Sequence, residues 1–219
     1  MKRKINWLNH IFNFLAVILG VYLAFVVNER AKVNQDRSES AVLMTSLVSD
    51  LEKDIQVYEE YQIPENTLFI QNVEELLTLI SSGETRGIEE QIATLLQVDN
   101  YTPTESTYSS MKLSGKLRLI EDLDLRKSLT RHYDGLVVES RMKGSYQVDY
   151  YTNEILSWLT DHVDLKTMTL RSVDDLTTFT NKLIIYGSLI EQKVESYKMI
   201  VEDSKSLKEE IASLLGSKT

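Results

Sequence analysis

Hydrophobic and polar residues recur along most of this chain with the spacing of α-helices. The stretch "IFNFLAVILGVYLAFVV" (residues 11–27) differs, because Asn13 is its one polar interruption. Counted from Leu8 it has about 20 residues, enough for a helix to cross the hydrocarbon core of a membrane. Trp7 lies where an interfacial aromatic residue is expected. The run is longer than a signal-peptide core and lacks a clear cleavage site, so residues 1–27 are interpreted as a basic N-terminus and an uncleaved transmembrane anchor.

Small residues recur at every fourth position within the anchor. Ala16, Gly20 and Ala24 lie along one face of a helix, where they allow two backbones to approach closely. We interpret this stripe as a helix–helix contact face within the bilayer. The alternative is that alanine and glycine are simply frequent in membrane helices.

Beyond the anchor, the pattern predicts a long juxtamembrane helix over residues 28–63. Pro64 is expected to end it, because the residue before a proline avoids the helical conformation. The spacing of its apolar residues alternates between three and four, as in the seam of a coiled coil, which suits packing against another helix. The seam consists of Ala41, Met44, Val48, Leu51, Ile55, Tyr58 and Gln62.

Residues 64–219 are predicted to form the remainder of a helical bundle domain. Periodic segments indicate helices at 65–80 and 88–96, a short helix that ends near residue 113, and long helices at 122–158 and 172–215. "TPTE" (102–105) has the pattern of a capping box with proline at the first helical position. The predicted fold is therefore all-α: an N-terminal transmembrane helix that continues into an antiparallel helical bundle.

Composition removes several classes of function. The net charge is −9, and the only three charged residues before position 28 are basic, so the rest of the chain is strongly acidic. Nucleic acid is therefore an unlikely partner, because phosphate binding needs an excess of lysine and arginine. The chain has no cysteine, which excludes disulfides, zinc–thiolate sites and thiol catalysis.

The remaining candidates for chemistry are few. His10, His132 and His162 have no partner at metal-binding spacing, so we expect ordinary surface or capping histidines. Neighbouring acidic residues are expected on solvated faces, because they point in different directions on a helix. No phosphate-binding loop or nucleophile motif occurs. We predict no catalytic residue, no metal and no cofactor.

The segment "YTPTESTYSSMKLSGK" (101–116) is unusually rich in hydroxyl groups. It could line a small polar pocket at one end of the bundle, with Tyr108, Ser110 and Lys116 as candidate residues. The alternative is a well-capped connection whose hydroxyls satisfy helix ends.

Two parts of the chain carry distinctive patterns. "LGVYLAFVVNER" (19–30) and "LVSDLEKDI" (47–55) contain Leu-Ala-x-x-x-Asn and then Leu-x-x-Asp-Leu-x-x-Asp, on Leu23, Ala24, Asn28, Leu47, Asp50, Leu51 and Asp54. "STYSSMKLSGKLRLIEDLDLRKSLTRHY" (106–133) contains a Thr-Tyr helix, a Ser-Gly turn and a Leu-Arg helix start, on Thr107, Tyr108, Ser114, Gly115, Leu125, Arg126 and Tyr133. Together they resemble an uncharacterised family of bacterial single-span, membrane-anchored helical proteins. The resemblance implies an anchored helical domain and no particular chemistry.

These observations favour a non-enzymatic protein that acts through protein partners, as a homo-oligomer or as an accessory or scaffold subunit of an envelope complex. The alternative is a ligand-sensing helical bundle coupled to a separate transducer. We expect it in the bacterial inner membrane with a cytoplasmic N-terminus. Arg30, Lys32 and Arg37 on the other flank equal the basic residues at positions 2–4 in number, but the density of charge on the very short N-terminus and the resemblance favour this orientation. The bulk of the chain is then outside the cytoplasm.

Overall fold

The computed structural model describes residues 7–171 and 176–216, and the predicted all-α class is confirmed. The helices are α1 (Trp7–Val57), α2 (Ile63–Ser82), α3 (Thr85–Ile92), α4 (Ser106–Leu113), α5 (Leu123–Thr130), α6 (Val137–Tyr150), α7 (Ser157–His162) and α8 (Leu176–Gly216). Single π-helical segments at Tyr58–Gln62, Arg131–Leu136 and Tyr151–Leu156 join α1 to α2, α5 to α6 and α6 to α7. Short 3-10 turns follow α3 and α4. A minimal antiparallel hairpin, β1 (Val163–Asp164) with β2 (Thr169–Leu170), precedes α8.

The chain passes along the bundle four times in alternating directions. The second half of α1 and α2 form the outward pass, α3 and α4 return, α5 to α7 run outward again, and α8 returns along both α1 and α2. Two apolar clusters fill the interior. The proximal cluster, nearer the anchor, joins α1, α4, α5 and the C-terminal half of α8, and the distal cluster joins α2, α3, α7 and the N-terminal half of α8.

The seam predicted on the first long helix is buried in the chain's own bundle. Met44, Leu51, Ile55, Tyr58 and Gln62 are all buried, and the four apolar members belong to the proximal cluster with residues of α8. The seam is thus already covered by the same chain.

The expected end of the first helix at Pro64 is wrong. The chain is helical from Ile11 to Ser82 without a break. The amide of Ile63 bonds the carbonyl of Tyr58, five residues back, so the hydrogen-bonding register shifts just before the proline. Pro64 then lies in the first turn of α2, directly after this shift of the hydrogen-bonding register.

Other predicted boundaries have mixed outcomes. The start near Asp122 is confirmed, because its carboxylate accepts from the amides of Asp124 and Leu125. The capping box at 102–105 is wrong: α4 begins at Ser106, and the residue before it, Glu105, makes no capping bond. The predicted start of the last helix at residue 172 lies outside the described residues.

Candidate functional site

The predicted contact stripe lies on an open surface of α1. Ala16, Gly20 and Ala24 are exposed, and apart from its chain neighbours and the adjacent helix backbone no atom lies within 4 Å of the position that a Cβ on Gly20 would take. The most apolar window of this helix has a mean hydropathy of 2.2 and none of it is buried. Among the described residues, this is the one helix long and apolar enough to cross a membrane.

The stripe points away from the bundle. The residues of α1 that enter the core share one side of the helix: Ser40, Met44, Leu47, Leu51, Asp54 and Ile55. Since α1 is α-helical throughout Trp7–Val57, the directions of the stripe residues can be projected at about 100° per residue; Ala16, Gly20 and Ala24 lie about 110°, 150° and 170° from the mean direction of the core residues. The exposed Val42, five turns further on, continues the face of Ala24. This face of α1 is uncovered from the anchor to the side of the bundle.

The three residues of the predicted polar pocket face different surroundings. Tyr108 is buried, stacks on Tyr133 and donates a hydrogen bond to Asp134. Ser110 is exposed, and Lys116 forms an ion pair of 2.7 Å with Glu39 of α1. The structure does not bring these three side chains together.

A buried lysine lies at the centre of the bundle instead. Lys193 of α8 has no exposed surface. Its Nζ donates to the main-chain carbonyl of Asp99 at 2.7 Å and to Oε1 of Gln147 at 3.0 Å. Nε2 of Gln147 in turn donates to the hydroxyl of Tyr186 at 2.8 Å, and Nε2 of Gln62 donates to the Asp99 carboxylate at 2.8 Å. This polar network connects every pass of the bundle.

The electrostatics of the network follow from its burial. Burial lowers the pKa of Lys193 from 10.5 to about 8, because water no longer solvates the ammonium, and the charge of Asp99 opposes this effect only in part. Burial also raises the pKa of Tyr186 above its ordinary value. The phenol therefore stays protonated, and able to donate a hydrogen bond, throughout the physiological pH range.

A cavity of about 60 Å³ lies beside this network, between α2, α6, α8 and the loop that follows α3. Buried Asn66, Gln147 and Tyr186 contribute polar groups to its wall, and Phe69 and Ile190 contribute apolar ones. The exposed residues on its lining are Tyr61, Glu65, Gln97, Val98 and Asp99. The cavity thus has a buried polar wall and carboxylates toward solvent.

A second polar cluster fixes the return pass against α1. The buried Asp54 accepts hydrogen bonds from the hydroxyl of Tyr101 at 2.8 Å and from the amide of Thr104 at 2.9 Å. One turn earlier, Asp50 accepts from the amide of Thr107 at 3.4 Å. Burial raises the pKa of Asp54 above its ordinary value, although these hydrogen bonds favour the ionised form.

The surface or capping role expected for His132 is wrong. His132 is buried. Its Nδ1 lies 2.9 Å from one carboxylate oxygen of Asp203, and Arg131 contacts the other oxygen of the same carboxylate. Burial by itself raises the pKa of Asp203, but the hydrogen bond with His132 and the positive charge of Arg131 hold it below the ordinary value. The π-helical segment places the adjacent His132 and Tyr133 both inside, which a regular helix pattern does not predict. His162 stacks on Trp158, and the side chain of His10 lies outside the described residues.

One signal in the sequence could have located Lys193. The buried residues of α8 follow a seam with spacings of four and three, at Tyr186, Ile190, Lys193, Tyr197, Ile200, Ser204, Leu207 and Ile211. A lysine within such a seam is a charge at a core position, which is rare and requires partners. Within the described residues, no three histidine or carboxylate side chains converge as metal ligands.

Comparison with known proteins places the chain in a family. Residues 13–192 match the profile of a family of unknown function, DUF6090, and the chain belongs to this family. A search of curated proteins and a search of solved structures each gave no significant match.

Proposed function

We propose that this DUF6090 protein is a non-enzymatic, membrane-anchored helical protein that acts through protein partners, as a homo-oligomer or as an accessory or scaffold subunit of an envelope complex. The supporting observation is the unbroken helix from Ile11 to Ser82, which joins an exposed apolar segment to the core of the bundle. Exposure of so many large apolar side chains to water is unfavourable, and a bilayer removes that contact. The anchor and the bundle then move as one body, because no flexible linker separates them.

The direction of the small-residue stripe supports pairing of copies through the anchor. Two anchors in contact along Ala16, Gly20 and Ala24 carry their bundles away from the contact, since the stripe projects about 110–170° from the face of α1 that enters the bundle. Close backbone contact in the membrane therefore needs no rearrangement of the bundles.

We further propose that the protein lies in the bacterial inner membrane with its N-terminus in the cytoplasm, because basic residues occupy positions 2–4. A reporter enzyme that is active only after export, fused to the C-terminus, should be active in cells. Activity confined to a reporter that works only in the cytoplasm contradicts the orientation.

Replacing Gly20 by leucine tests the pairing. The added side chain fills the groove between two helices, so self-association in mild detergent or in vesicles should weaken. The helix content and the melting of the bundle should not change, because the side chain enters open space within one chain. Tyr22→Leu is the matched control. Tyr22 lies about 200° around the helix from Gly20, so the same leucine is placed on the opposite face, away from the stripe. Equal association of Gly20→Leu and the wild type contradicts the role of the stripe.

Affinity purification of the full-length protein in the same detergent separates the two forms of the proposal. Recovery of the chain alone, as a defined oligomer that Gly20→Leu disrupts, supports the homo-oligomer. Recovery of a second membrane protein in a fixed ratio supports the accessory or scaffold role. A monomeric chain with no bound protein contradicts both.

The cavity beside Lys193 favours a second candidate function, a ligand-sensing bundle coupled to a separate transducer. A ligand in this cavity would contact α2, α6 and α8 at once. The unbroken helix would then connect its binding to the anchor.

A further inference from the structure

We propose that the cavity between α2, α6 and α8 binds a small zwitterion, an α-amino acid of the size of glycine or alanine. This inference does not depend on pairing of the anchors. It rests on the distribution of donors and acceptors around the cavity and on its size.

The buried wall of the cavity offers hydrogen-bond donors. The Tyr186 hydroxyl accepts from Nε2 of Gln147 and so retains its own proton for another acceptor. Nε2 of Gln147 has a second hydrogen, while its Oε1 is occupied by Lys193. The Lys193 ammonium behind Gln147 adds positive potential to this wall. A carboxylate group is the ligand group that such a wall favours.

The solvent side of the cavity has the opposite charge. Glu65 and Asp99 both lie on its lining and are exposed. The hydrogen bond from Gln62 occupies one carboxylate oxygen of Asp99, and a carboxylate has capacity for further donors. An ammonium group is the natural partner for these carboxylates. Donors at one end and carboxylates at the other fit a molecule with a carboxylate and an ammonium group close together.

The size of the cavity limits the ligand. Its volume is about 60 Å³, several times the roughly 10–15 Å³ that one water molecule needs, so the cavity has room for a ligand of a few non-hydrogen atoms. Glycine and alanine have this size. The apolar side chains of Phe69 and Ile190 complete the lining and favour the uncharged middle of such a molecule.

Calorimetric titration and thermal melting of the full-length protein in mild detergent test the proposal. Glycine or alanine should give saturable heat and raise the melting temperature. Acetate and methylammonium, which each carry one of the two charges, and leucine, which is too large, should give neither. The absence of saturable binding by glycine and alanine, or equal binding by acetate or leucine, would overturn the proposal.

Matched variants connect the binding to the cavity. Glu65→Gln and Tyr186→Phe should each weaken glycine binding by about tenfold or more, since each removes a charged or directed contact. Glu60→Gln and Tyr146→Phe alter exposed residues outside the cavity lining and should bind as the wild type does. Because Glu65 is exposed, its variant should fold even if Tyr186→Phe does not. Unchanged affinity in Glu65→Gln would overturn the assignment of the ammonium end.

Discussion

Replacement of Lys193 by methionine tests the cost of a buried ammonium in this bundle. The pKa of Lys193 falls from 10.5 to about 8 on folding. Each pKa unit corresponds to about 1.4 kcal/mol, so the charged form is disfavoured in the folded state by about 3 kcal/mol. Between these two pKa values the unfolded chain holds a proton that the folded chain has lost. The free energy of unfolding therefore rises with pH in this window, by about 2 kcal/mol between pH 7 and pH 9.5.

Buried tyrosines act in the opposite direction at the upper end of this window. Burial raises the pKa of Tyr197 to about 12 and also raises that of Tyr186 and of several other tyrosines. Where the folded pKa of a tyrosine is raised, the unfolded chain loses its proton first, so stability begins to fall as the pH approaches the ordinary tyrosine pKa of about 10. The comparison with Lys193→Met, which retains all of these tyrosines, isolates the part of the pH dependence that belongs to Lys193.

Urea unfolding of the full-length protein in detergent, followed by circular dichroism at several pH values, measures the effect. The wild type should gain stability with pH, and Lys193→Met should lose that pH dependence. The absolute stability of the variant at pH 7 is a weaker test, because the gain from removing the charge is offset by about 1–3 kcal/mol for each acceptor left unpaired, on Asp99 and Gln147. Lys198→Met, which removes an exposed lysine of the same helix, should keep the wild-type dependence. The same dependence of stability on pH in the wild type and in Lys193→Met would refute the reasoning.

Two further predictions concern packing and the return pass. Gly144→Ala should lower the free energy of unfolding by about 1 kcal/mol at most, because the new Cβ falls 2.3 Å from Oδ1 of Asn100 and this exposed side chain has to turn aside. In contrast, Gly135→Ala should be neutral or stabilise by up to about 1 kcal/mol, since its Cβ enters open space within a helix; urea unfolding of the pair distinguishes a steric cause from a general effect of helical glycine. Asp54→Ala should cost about 1–3 kcal/mol and speed hydrogen exchange at the amide of Thr104, which loses its acceptor. Unchanged exchange at Thr104 contradicts the role of Asp54 in holding the return pass.

The helices could be predicted because their apolar periodicity is strong. The seam on α1 and the cap at Asp122 both needed only local spacing and capping chemistry. Predictions were wrong where the structure depends on a contact or a backbone arrangement that the local sequence pattern does not indicate. The capping box at 102–105 did not form, and this segment instead bonds Asp54, fifty residues earlier, through the amide of Thr104. Pro64 did not end its helix, because one π-helical turn shifted the bonding register, and local sequence rules do not contain such a shift.

The candidate sites likewise differ in whether local sequence patterns could predict them. The exposed stripe on the anchor was visible from spacing alone, and Lys193 could have been found as a charge within a core seam. The cavity could not be predicted, because the loop at 97–99 that closes it has no periodicity and its position depends on contacts with Gln62 and Lys193. Tyr108, Ser110 and Lys116 are close in sequence, but helix geometry and an ion pair with α1 direct them to different surroundings.

The Leu-x-x-Asp-Leu-x-x-Asp pattern and the pattern at 106–133, which both resemble a known family, are parts of one contact. In Leu-x-x-Asp-Leu-x-x-Asp, Leu47 and Leu51 are fully buried in the proximal cluster, and the aspartates of the same pattern accept hydrogen bonds from the return pass. One of these bonds comes from the amide of Thr107, within the Thr-Tyr pattern. The next residue, Tyr108, stacks on Tyr133, which ends the second pattern. The spacing of four in the first pattern thus serves both apolar packing and the fixing of a segment that lacks regular structure. The packing and hydrogen bonds of the fold therefore explain why leucine and aspartate occupy these positions. Residues that bind a ligand or a partner have to be sought elsewhere, on the open face of α1 and around the cavity beside Lys193.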